Sequence, residues 1–172
     1  LERLSAGKGA ILGTPTGYAW LDEKLAGWVP GEYVVLAGRP SKGKTALALE
    51  FIRRQCEAGS PVALFSKEMN RAAIIIRLAC LVARVDSHKM RSGWLSKREW
   101  DRIAAALGRI AGWKLWIDDR PGMRSAEVRW RLRSLAKRHG IKLAVADYLQ
   151  IFDAPGKDRF EKVTHASMDF QA

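Results

Sequence analysis

Cysteine is scarce in this sequence, and no apolar run is long enough to cross a membrane. The two cysteines among 172 residues, Cys56 and Cys80, form no metal-ligand spacing, so we expect them to be packing residues in helices. The most apolar segment, residues 72–83, is interrupted by Arg77 and is shorter than the roughly 20 residues that a membrane-spanning helix needs. These absences predict a cytoplasmic protein with no membrane partner.

Acidic residues are also few. The chain has 18 Asp and Glu residues against 30 Lys and Arg residues, which gives a net charge of +12 at pH 7. Such an excess favours a polyanionic partner, and nucleic acid is the usual one. ATP alone would not require so much positive charge. The length suits one domain, and a hydrophobic content of 48% is ample for its core.

Short apolar runs alternate along the chain with segments of helical periodicity. Strands are predicted at residues 33–37, 62–66, 114–117 and from 143 onward. Helices are predicted at residues 16–28, 46–57, 71–84, 96–110, 124–139 and from 159 onward. This alternation predicts an α/β fold, a mostly parallel sheet with helices on both faces.

The apolar spacing within the helices also predicts which side chains are buried. Leu21 and Leu25 are expected to face inward, and Trp130 to face outward as a subunit contact or a partly covered surface aromatic. Ser96 and Glu99 form a capping-box pattern that opens a helix. The inward residues predicted in that helix are Trp100, Ile103, Ala104, Leu107 and Ile110.

The stretch GRPSKGKT lies between a predicted strand and a predicted helix and fits the phosphate-binding pattern G-x-x-x-x-G-K-[ST]. In such a P-loop, Lys44 reaches the β- and γ-phosphates and the Thr45 hydroxyl binds Mg²⁺. A solvated Gly- and Lys-rich turn is the plainer alternative, but the flanking strand and helix favour the P-loop. The predicted cofactors are ATP and Mg²⁺. The predicted nucleotide-binding residues of the loop are Gly38, Arg39, Pro40, Ser41, Lys42, Gly43, Lys44 and Thr45.

Two acidic residues follow predicted strands and are candidates for the chemistry of ATP hydrolysis. Asp147 ends the apolar run LAVAD, the form of a Walker B strand that supplies a carboxylate to bound Mg²⁺; an ordinary strand-end aspartate is the alternative. Glu68 lies just past the strand at residues 62–66 and is the candidate catalytic base. A solvated glutamate that suits a helix start is equally compatible with its spacing.

Three further residues are weaker candidates on spacing alone. Gln150 could sense the γ-phosphate, or it could simply close a strand. Lys157 and Arg159 lie in a loop with Pro155 and Gly156, where they could bind the phosphate backbone of DNA or belong to a solvated turn.

Several segments between residues 13 and 152 together resemble the ATPase domain of replicative hexameric DNA helicases of the DnaB family. They include the P-loop with the residues that precede it, the segment VALFSKEM and the segment AVADYLQIF. Within the wider RecA-like class of P-loop NTPases, the patterns FS-x-EM and DYLQ are specific to this group.

The resemblance implies a RecA-like fold, a homo-hexameric ring and ATP-driven translocation on single-stranded DNA. It implies that Lys44 and Glu68 are catalytic, that Thr45 and Asp147 hold the metal, and that Gln150 couples the γ-phosphate to DNA. A primase and a helicase loader are the further partners implied.

The resemblance also implies domain boundaries. Residues 1–15 correspond to a linker remnant and residues 16–172 to the ATPase domain. The family's N-terminal domain, arginine finger and second DNA loop are expected to lie outside this sequence. The chain alone is therefore expected to be a weak ATPase.

Two lysines depart from the family pattern, which usually has apolar residues in their places. Lys42 in the P-loop could attract phosphate or be solvated. Lys67 stands beside Glu68 and would weaken it as a base if the two side chains met, but adjacent strand residues point to opposite faces.

Three functions are compatible with the sequence. The leading one is a DNA-translocating ATPase that unwinds duplex DNA during replication, and the second is a RecA/KaiC-like recombinase or nucleotide switch that does not unwind DNA. The third is a module that binds ATP or DNA without turnover. Strand displacement on a forked duplex distinguishes the first from the second, and DNA-stimulated hydrolysis distinguishes both from the third.

DNA binding should be sensitive to salt and nearly indifferent to base sequence. The reason is that contacts from Lys157 and Arg159 would be made to phosphates, which carry no sequence information. Affinity for several single-stranded oligonucleotides, measured over a range of salt concentrations, checks this. A strong preference for one oligonucleotide at fixed salt would contradict it.

Overall fold

The computed structural model describes residues 11–39 and 41–147 of the chain. Local sequence signals account for several of the element ends, such as the capping residues Asn70 and Ser96 and the C-terminal Gly93 and Gly140. In chain order the elements are α1 (Ala19–Leu25), α2 (Lys44–Glu57), β1 (Val62–Ser66), α3 (Arg71–Ala83), α4 (Ser87–Ser92), α5 (Lys97–Ala111), β2 (Leu115–Asp118), α6 (Ser125–His139) and β3 (Leu143–Asp147).

The three strands form a parallel sheet in the order β2-β1-β3. Strand β1 is central, and all five of its residues are buried. A parallel strand pair requires a crossover connection, and here helices supply each crossover. The sheet therefore confirms the α/β fold expected from the alternating pattern.

The side chains of β1 alternate between two hydrophobic clusters, one on each face of the sheet. Val62 and Leu64 pack on one face, in a large cluster with residues of α2, α3 and α5. Ala63 and Phe65 pack on the other face, with Met123 and with Val128 of α6. Helices thus cover both faces, as a buried parallel sheet requires.

The segment before the P-loop is held against the C-terminal half of α2. The rings of Tyr18 and Trp28 meet Phe51 edge to face, with centroids 5.7 and 5.0 Å away. The guanidinium of Arg54 lies 3.9 Å from the centroid of the Tyr18 ring. The Gln55 side chain donates a hydrogen bond to the backbone carbonyl of Pro15. These contacts fix α2 at the end opposite the P-loop.

The predicted capping box is present. The Ser96 hydroxyl accepts a hydrogen bond from the Glu99 amide, and the Glu99 carboxylate accepts one from the Ser96 amide. The hydrogen bond from the Ser96 amide is the main cause that lowers the pKa of Glu99 to about 2.

Cys56 and Cys80 are both free and buried, as expected. Burial raises the pKa of the Cys56 thiol to about 12, which makes it unreactive at neutral pH.

The predicted first strand, residues 33–37, is not a strand in the described part of the chain. Val34, Val35 and Leu36 are all exposed, and none of the described strands pairs with them. Apolar, β-branched residues favour a strand, but a strand also needs a partner in register. The strand prediction at this position is therefore wrong for the described residues.

The faces predicted to be buried in helices α1 and α5 are also wrong in part. In α5 the buried residues are Ile103, Ala106 and Ile110, whereas Trp100 and Leu107 of the predicted face are 48% and 41% exposed. The predicted Ala104 is exposed as well. The apolar arc of α5 is wider than the surface that α3 covers, so the sequence did not show which part of it would be buried.

In α1 the predicted inward residue Leu25 is exposed, and the buried residue is Asp22. Its carboxylate accepts a 2.6 Å hydrogen bond from the buried amide of Thr16. A local backbone contact, rather than the apolar spacing, decides which face of this short helix is buried.

The helices of the described residues are short, and all of them carry charged side chains. None of them, in residues 11–39 and 41–147, has both the length and the apolar character that such a crossing demands.

Replacing Asp22 by Ala should lower the free energy of unfolding by about 1–3 kcal/mol, because the buried Thr16 amide would lose its acceptor. Denaturant unfolding of the two proteins measures the difference. Glu23→Ala removes an exposed carboxylate one residue away and is the matched control. Equal losses in both variants would mean that the hydrogen bond contributes nothing specific.

Candidate functional site

The P-loop leads directly into α2, as its sequence context predicted. Gly43 precedes the first helical residue with φ 86°, and no side chain caps the helix. The first helical hydrogen bond runs from the Leu47 amide to the Gly43 carbonyl, at 2.9 Å. The amides of residues 44–46 precede that bond and have no acceptor within the helix. A helix end of this kind attracts an anion through both its free amides and its dipole.

Left-handed backbone occurs twice in the loop. Ser41 has φ 60° and Gly43 has φ 86°. The Lys42 amide donates a 3.3 Å hydrogen bond to the Arg39 carbonyl and closes a turn between them. Alternation of left-handed and ordinary residues produces the concave amide arrangements that bind anions. A non-glycine residue with positive φ is uncommon, so Ser41 marks a strained point of the kind found at functional sites.

Lys44 folds back across the loop. Its ammonium donates a 2.9 Å hydrogen bond to the Gly38 carbonyl, at the opposite end of the loop. This contact places a positive charge at the Gly38 end of the loop, while the free amides of the first helical turn lie at its other end. A phosphate oxygen would make a stronger, charge-assisted hydrogen bond than a neutral carbonyl does. The donors present therefore fit the phosphates of a nucleotide.

The ends of β1 and β3 bring the two predicted acidic residues to the same edge of the sheet. Ser66 pairs with Asp147 in the last rung of the β1–β3 ladder. The Lys67 amide then donates a 3.2 Å hydrogen bond to the Asp147 carbonyl. Glu68 follows at once and is exposed, whereas Asp147 is half-buried. The carboxyl ends of parallel strands are where α/β proteins bind their ligands.

The candidate protein ligands for a divalent cation are two residues, Thr45 and Asp147. Thr45 lies in the first turn of α2 and is half-buried, and Asp147 ends β3. Within the ranges that the structure describes, no group of three or more His, Cys, Asp or Glu residues could hold a metal. Mg²⁺ commonly binds through one or two protein oxygens together with phosphates and waters, so Thr45 and Asp147 fit that ion.

The end of β2 carries two further acidic residues that the sequence reasoning did not single out. Asp118 accepts hydrogen bonds from Arg120 at 2.9 Å and from Arg131 at 3.2 Å. Burial acts to raise the pKa of Asp118, but the hydrogen bonds from Arg120 and the charges of both arginines outweigh it and lower the pKa. Asp119 accepts a 2.7 Å hydrogen bond from the Arg71 amide at the start of α3. The two adjacent acidic residues in the segment IDDR are the sequence signal that could have identified Asp118 and Asp119 as residues of this edge.

The Arg-rich helix α6 presents Trp130 to solvent, as predicted, and this residue is 67% exposed. Its Arg131 is different, because it lies between Asp118 and Glu127 and is held by both. Arg120 joins the same network through Asp118 and Glu127. The network fixes the start of α6 to the end of β2.

Four of the predicted site residues lie outside the described residues, and their roles stay predictions. They are Pro40, Gln150, Lys157 and Arg159. The roles assigned to the described ones, including Lys44, Thr45, Glu68 and Asp147, are predictions that the geometry above accommodates.

Comparison with protein families gives a match over nearly the whole chain. The model of the DnaB-like helicase C-terminal domain matches residues 13–172. The replicative DNA helicase DnaC of Bacillus subtilis is 32% identical over an alignment of 176 positions that includes the whole chain and 39% of that protein. The replicative DNA helicase DnaB of Leifsonia xyli is 40% identical over 155 positions, which cover 88% of the chain and 34% of that protein. The chain thus spans between a third and two fifths of these relatives.

Comparison with solved structures also finds a DnaB-like replicative helicase among the similar proteins. A DnaB-like replicative helicase, described together with its interactions with primase, superimposes with a TM-score of 0.88 at 27% identity, over 99% of this chain and 42% of that one. The ATPase domain of G40P superimposes with a TM-score of 0.87 at 27% identity, over 99% of this chain and 62% of that one.

Replacing Lys44 by Ala should weaken ATP binding at least tenfold. The loop would lose its cation at the Gly38 end, and a charge-assisted hydrogen bond contributes about 1.5–3 kcal/mol. Titration with ATP, together with a melting curve to verify folding, measures the effect. Lys24→Ala removes a lysine of α1 and serves as the control. An unchanged ATP affinity in the Lys44 variant would show that the loop does not bind phosphate as assigned.

Proposed function

This chain belongs to the DnaB-like helicase C-terminal domain family, and we propose that it is the ATP-hydrolysing motor domain of a replicative DNA helicase. The observation that carries the proposal is the uncapped start of α2, with Lys44 folded across the loop. A phosphate-binding helix end of this kind stands in a chain whose matched relatives are named replicative helicases.

In this proposal the P-loop binds the phosphates of ATP. The amides of the first turn of α2 and the Lys44 ammonium donate hydrogen bonds to phosphate oxygens. The amides are oriented before the nucleotide arrives, and the Lys44 ammonium would exchange the Gly38 carbonyl for a phosphate oxygen, so both would stabilise the charge that develops during phosphoryl transfer. Lys42 adds a further exposed positive charge to the same loop.

Thr45 and Asp147 are the residues that would hold Mg²⁺. The Thr45 hydroxyl would bind the ion directly, and the Asp147 carboxylate would bind it directly or through its water shell. The ion, when bound, neutralises phosphate charge.

Glu68 is proposed as the general base. Its carboxylate would accept a proton from the attacking water, which then adds to the γ-phosphorus as the bond to the leaving ADP oxygen breaks. Glu68 is exposed at the carboxyl edge, one residue beyond the hydrogen bond that joins Lys67 to Asp147. This position leaves its side chain accessible to a water molecule.

The partners of the whole protein are also part of the proposal. The net charge of +12 supports binding to single-stranded DNA. A homo-hexameric ring would arrange the domains around that strand, and the exposed Trp130 offers an aromatic surface for contact between subunits. A primase is a proposed partner because one structural neighbour is described with its primase interactions. A helicase loader and a cytoplasmic location complete the proposal.

The RecA/KaiC-like alternative, a recombinase or switch that does not unwind DNA, is less well supported. The curated relatives are named replicative helicases, and one of the structural neighbours is a DnaB-like replicative helicase. Strand displacement on a forked duplex by the full-length protein remains the test that separates the two.

Replacing Glu68 by Gln in the full-length protein should leave ATP binding intact and reduce hydrolysis by roughly 10²–10⁴-fold. The amide keeps the size of the side chain and cannot accept the proton. Phosphate release with single-stranded DNA present, measured beside ATP affinity, gives both quantities. Glu23→Gln, in α1, is the matched control. Normal turnover in the Glu68 variant would return Glu68 to a structural role.

A further inference from the structure

Lys67 connects the two acidic residues of the sheet edge through its backbone. It is the first residue after β1, and its amide donates a 3.2 Å hydrogen bond to the Asp147 carbonyl. This bond extends the β1–β3 ladder one step beyond the Ser66–Asp147 pair. Glu68 therefore directly follows a residue whose backbone is hydrogen-bonded to Asp147.

The side chain of Lys67 makes a second connection, to the segment between β2 and α6. Its ammonium donates a 3.2 Å hydrogen bond to the Met123 carbonyl, in a half-buried position. Met123 is almost fully buried, with 1% of its surface exposed, and it packs with Phe65 and Val128. The acceptor is therefore a fixed point of the core rather than a mobile loop.

The residue that follows Glu68 is fixed as well. The Met69 amide donates a 3.1 Å hydrogen bond to the Ser66 hydroxyl, and the Met69 side chain packs against the large cluster. Glu68 is thus an exposed residue between two held neighbours. Of these neighbours, Lys67 is the one whose side chain joins β1 to the segment before α6.

We propose that Lys67, which stands where the family usually has an apolar residue, is a positioning residue for Glu68 that is particular to this chain. The hydrogen bonds from its amide to Asp147 and from its ammonium to Met123 fix the backbone from which the Glu68 carboxylate extends. The role follows from geometry, because a general base must stay within hydrogen-bond reach of the water it deprotonates. The inference rests on the proposed role of Glu68 in ATP hydrolysis.

Lys67→Met in the full-length protein is the first test. Methionine keeps an unbranched side chain of similar length and lacks the donor to Met123. We expect kcat for DNA-stimulated ATP hydrolysis to fall by roughly 10- to 100-fold, because a small displacement of a reacting group can cost that much. KM for ATP should change less than threefold, since Lys67 makes no proposed contact with the nucleotide.

Two further variants keep the test decisive if Lys67→Met folds poorly. Lys67→Arg retains a positively charged donor and should recover at least a third of the parent kcat. Lys97→Met removes an exposed lysine at the start of α5 and should leave kcat unchanged. Melting curves identify any variant whose loss of kcat comes from unfolding.

The decisive measurement combines Lys67→Met with Glu68→Gln. If Lys67 acts through Glu68, the double variant should hydrolyse ATP no more slowly than Glu68→Gln alone. A merely structural role would instead lower the residual rate by the same factor in both backgrounds. Such multiplicative losses, or a kcat for Lys67→Met equal to that of the parent, would overturn the inference.

The outcomes also separate this inference from the proposed function. If Glu68→Gln turns over normally, the proposed role of Glu68 fails. If Glu68→Gln is inactive while Lys67→Met is fully active, only the positioning role of Lys67 fails.

Discussion

Strand β1 is hydrogen-bonded on both of its edges, to β2 and to β3, and all three strands run in the same direction. Because it is central and wholly buried, its five residues supply the contact surface for helices on both faces. Parallel pairing also places the ends of the three strands side by side. Glu68, Asp118 and Asp147 thereby come to one edge of the sheet although they lie far apart in the sequence. Without the β1–β3 register, Glu68 and Asp147 would have no defined relation to each other.

Helix α2 divides structural and chemical roles between its two ends. Its middle and C-terminal half are fixed by Leu49 and Ile52 in the core and by the contacts of Phe51 and Arg54 with the preceding segment. Its first turn has no capping side chain, so the amides there remain available to an anion. The packing at one end holds the other end in place, which reduces the entropy lost when a phosphate binds.

Four carboxylates in the described part of the chain hold arginine side chains in place, two of them near the end of β2 and two on α2. Asp118 and Glu127 bind Arg120 and Arg131, and Glu50 and Glu57 bind Arg53 on α2. These pairs are partly exposed, so each contributes little to stability by itself. Their effect is to order arginine side chains at the end of β2 and on the C-terminal half of α2, while the larger number of basic residues leaves the net charge strongly positive.

The sequence by itself determined the features that depend on neighbouring residues. The P-loop before α2, the capping box at Ser96, and the strands that contain the apolar runs at residues 62–66 and 143–147 all follow from patterns a few residues long. Together with the family-specific segments, these patterns were sufficient to predict the α/β fold and to nominate Glu68 and Asp147.

Only the tertiary structure decided which surfaces meet. Residues 33–37 have the composition of a strand, but a strand needs a partner strand elsewhere in the chain. Within the described residues, no strand pairs with this segment. The apolar arc of α5 includes both Trp100 and Ile103, and the position of α3 decides that Ile103 is buried. The bond from Lys67 to Met123 spans 56 residues, so no local pattern contains it. Periodicity specifies that a face is apolar, whereas the neighbouring elements determine how much of that face is covered.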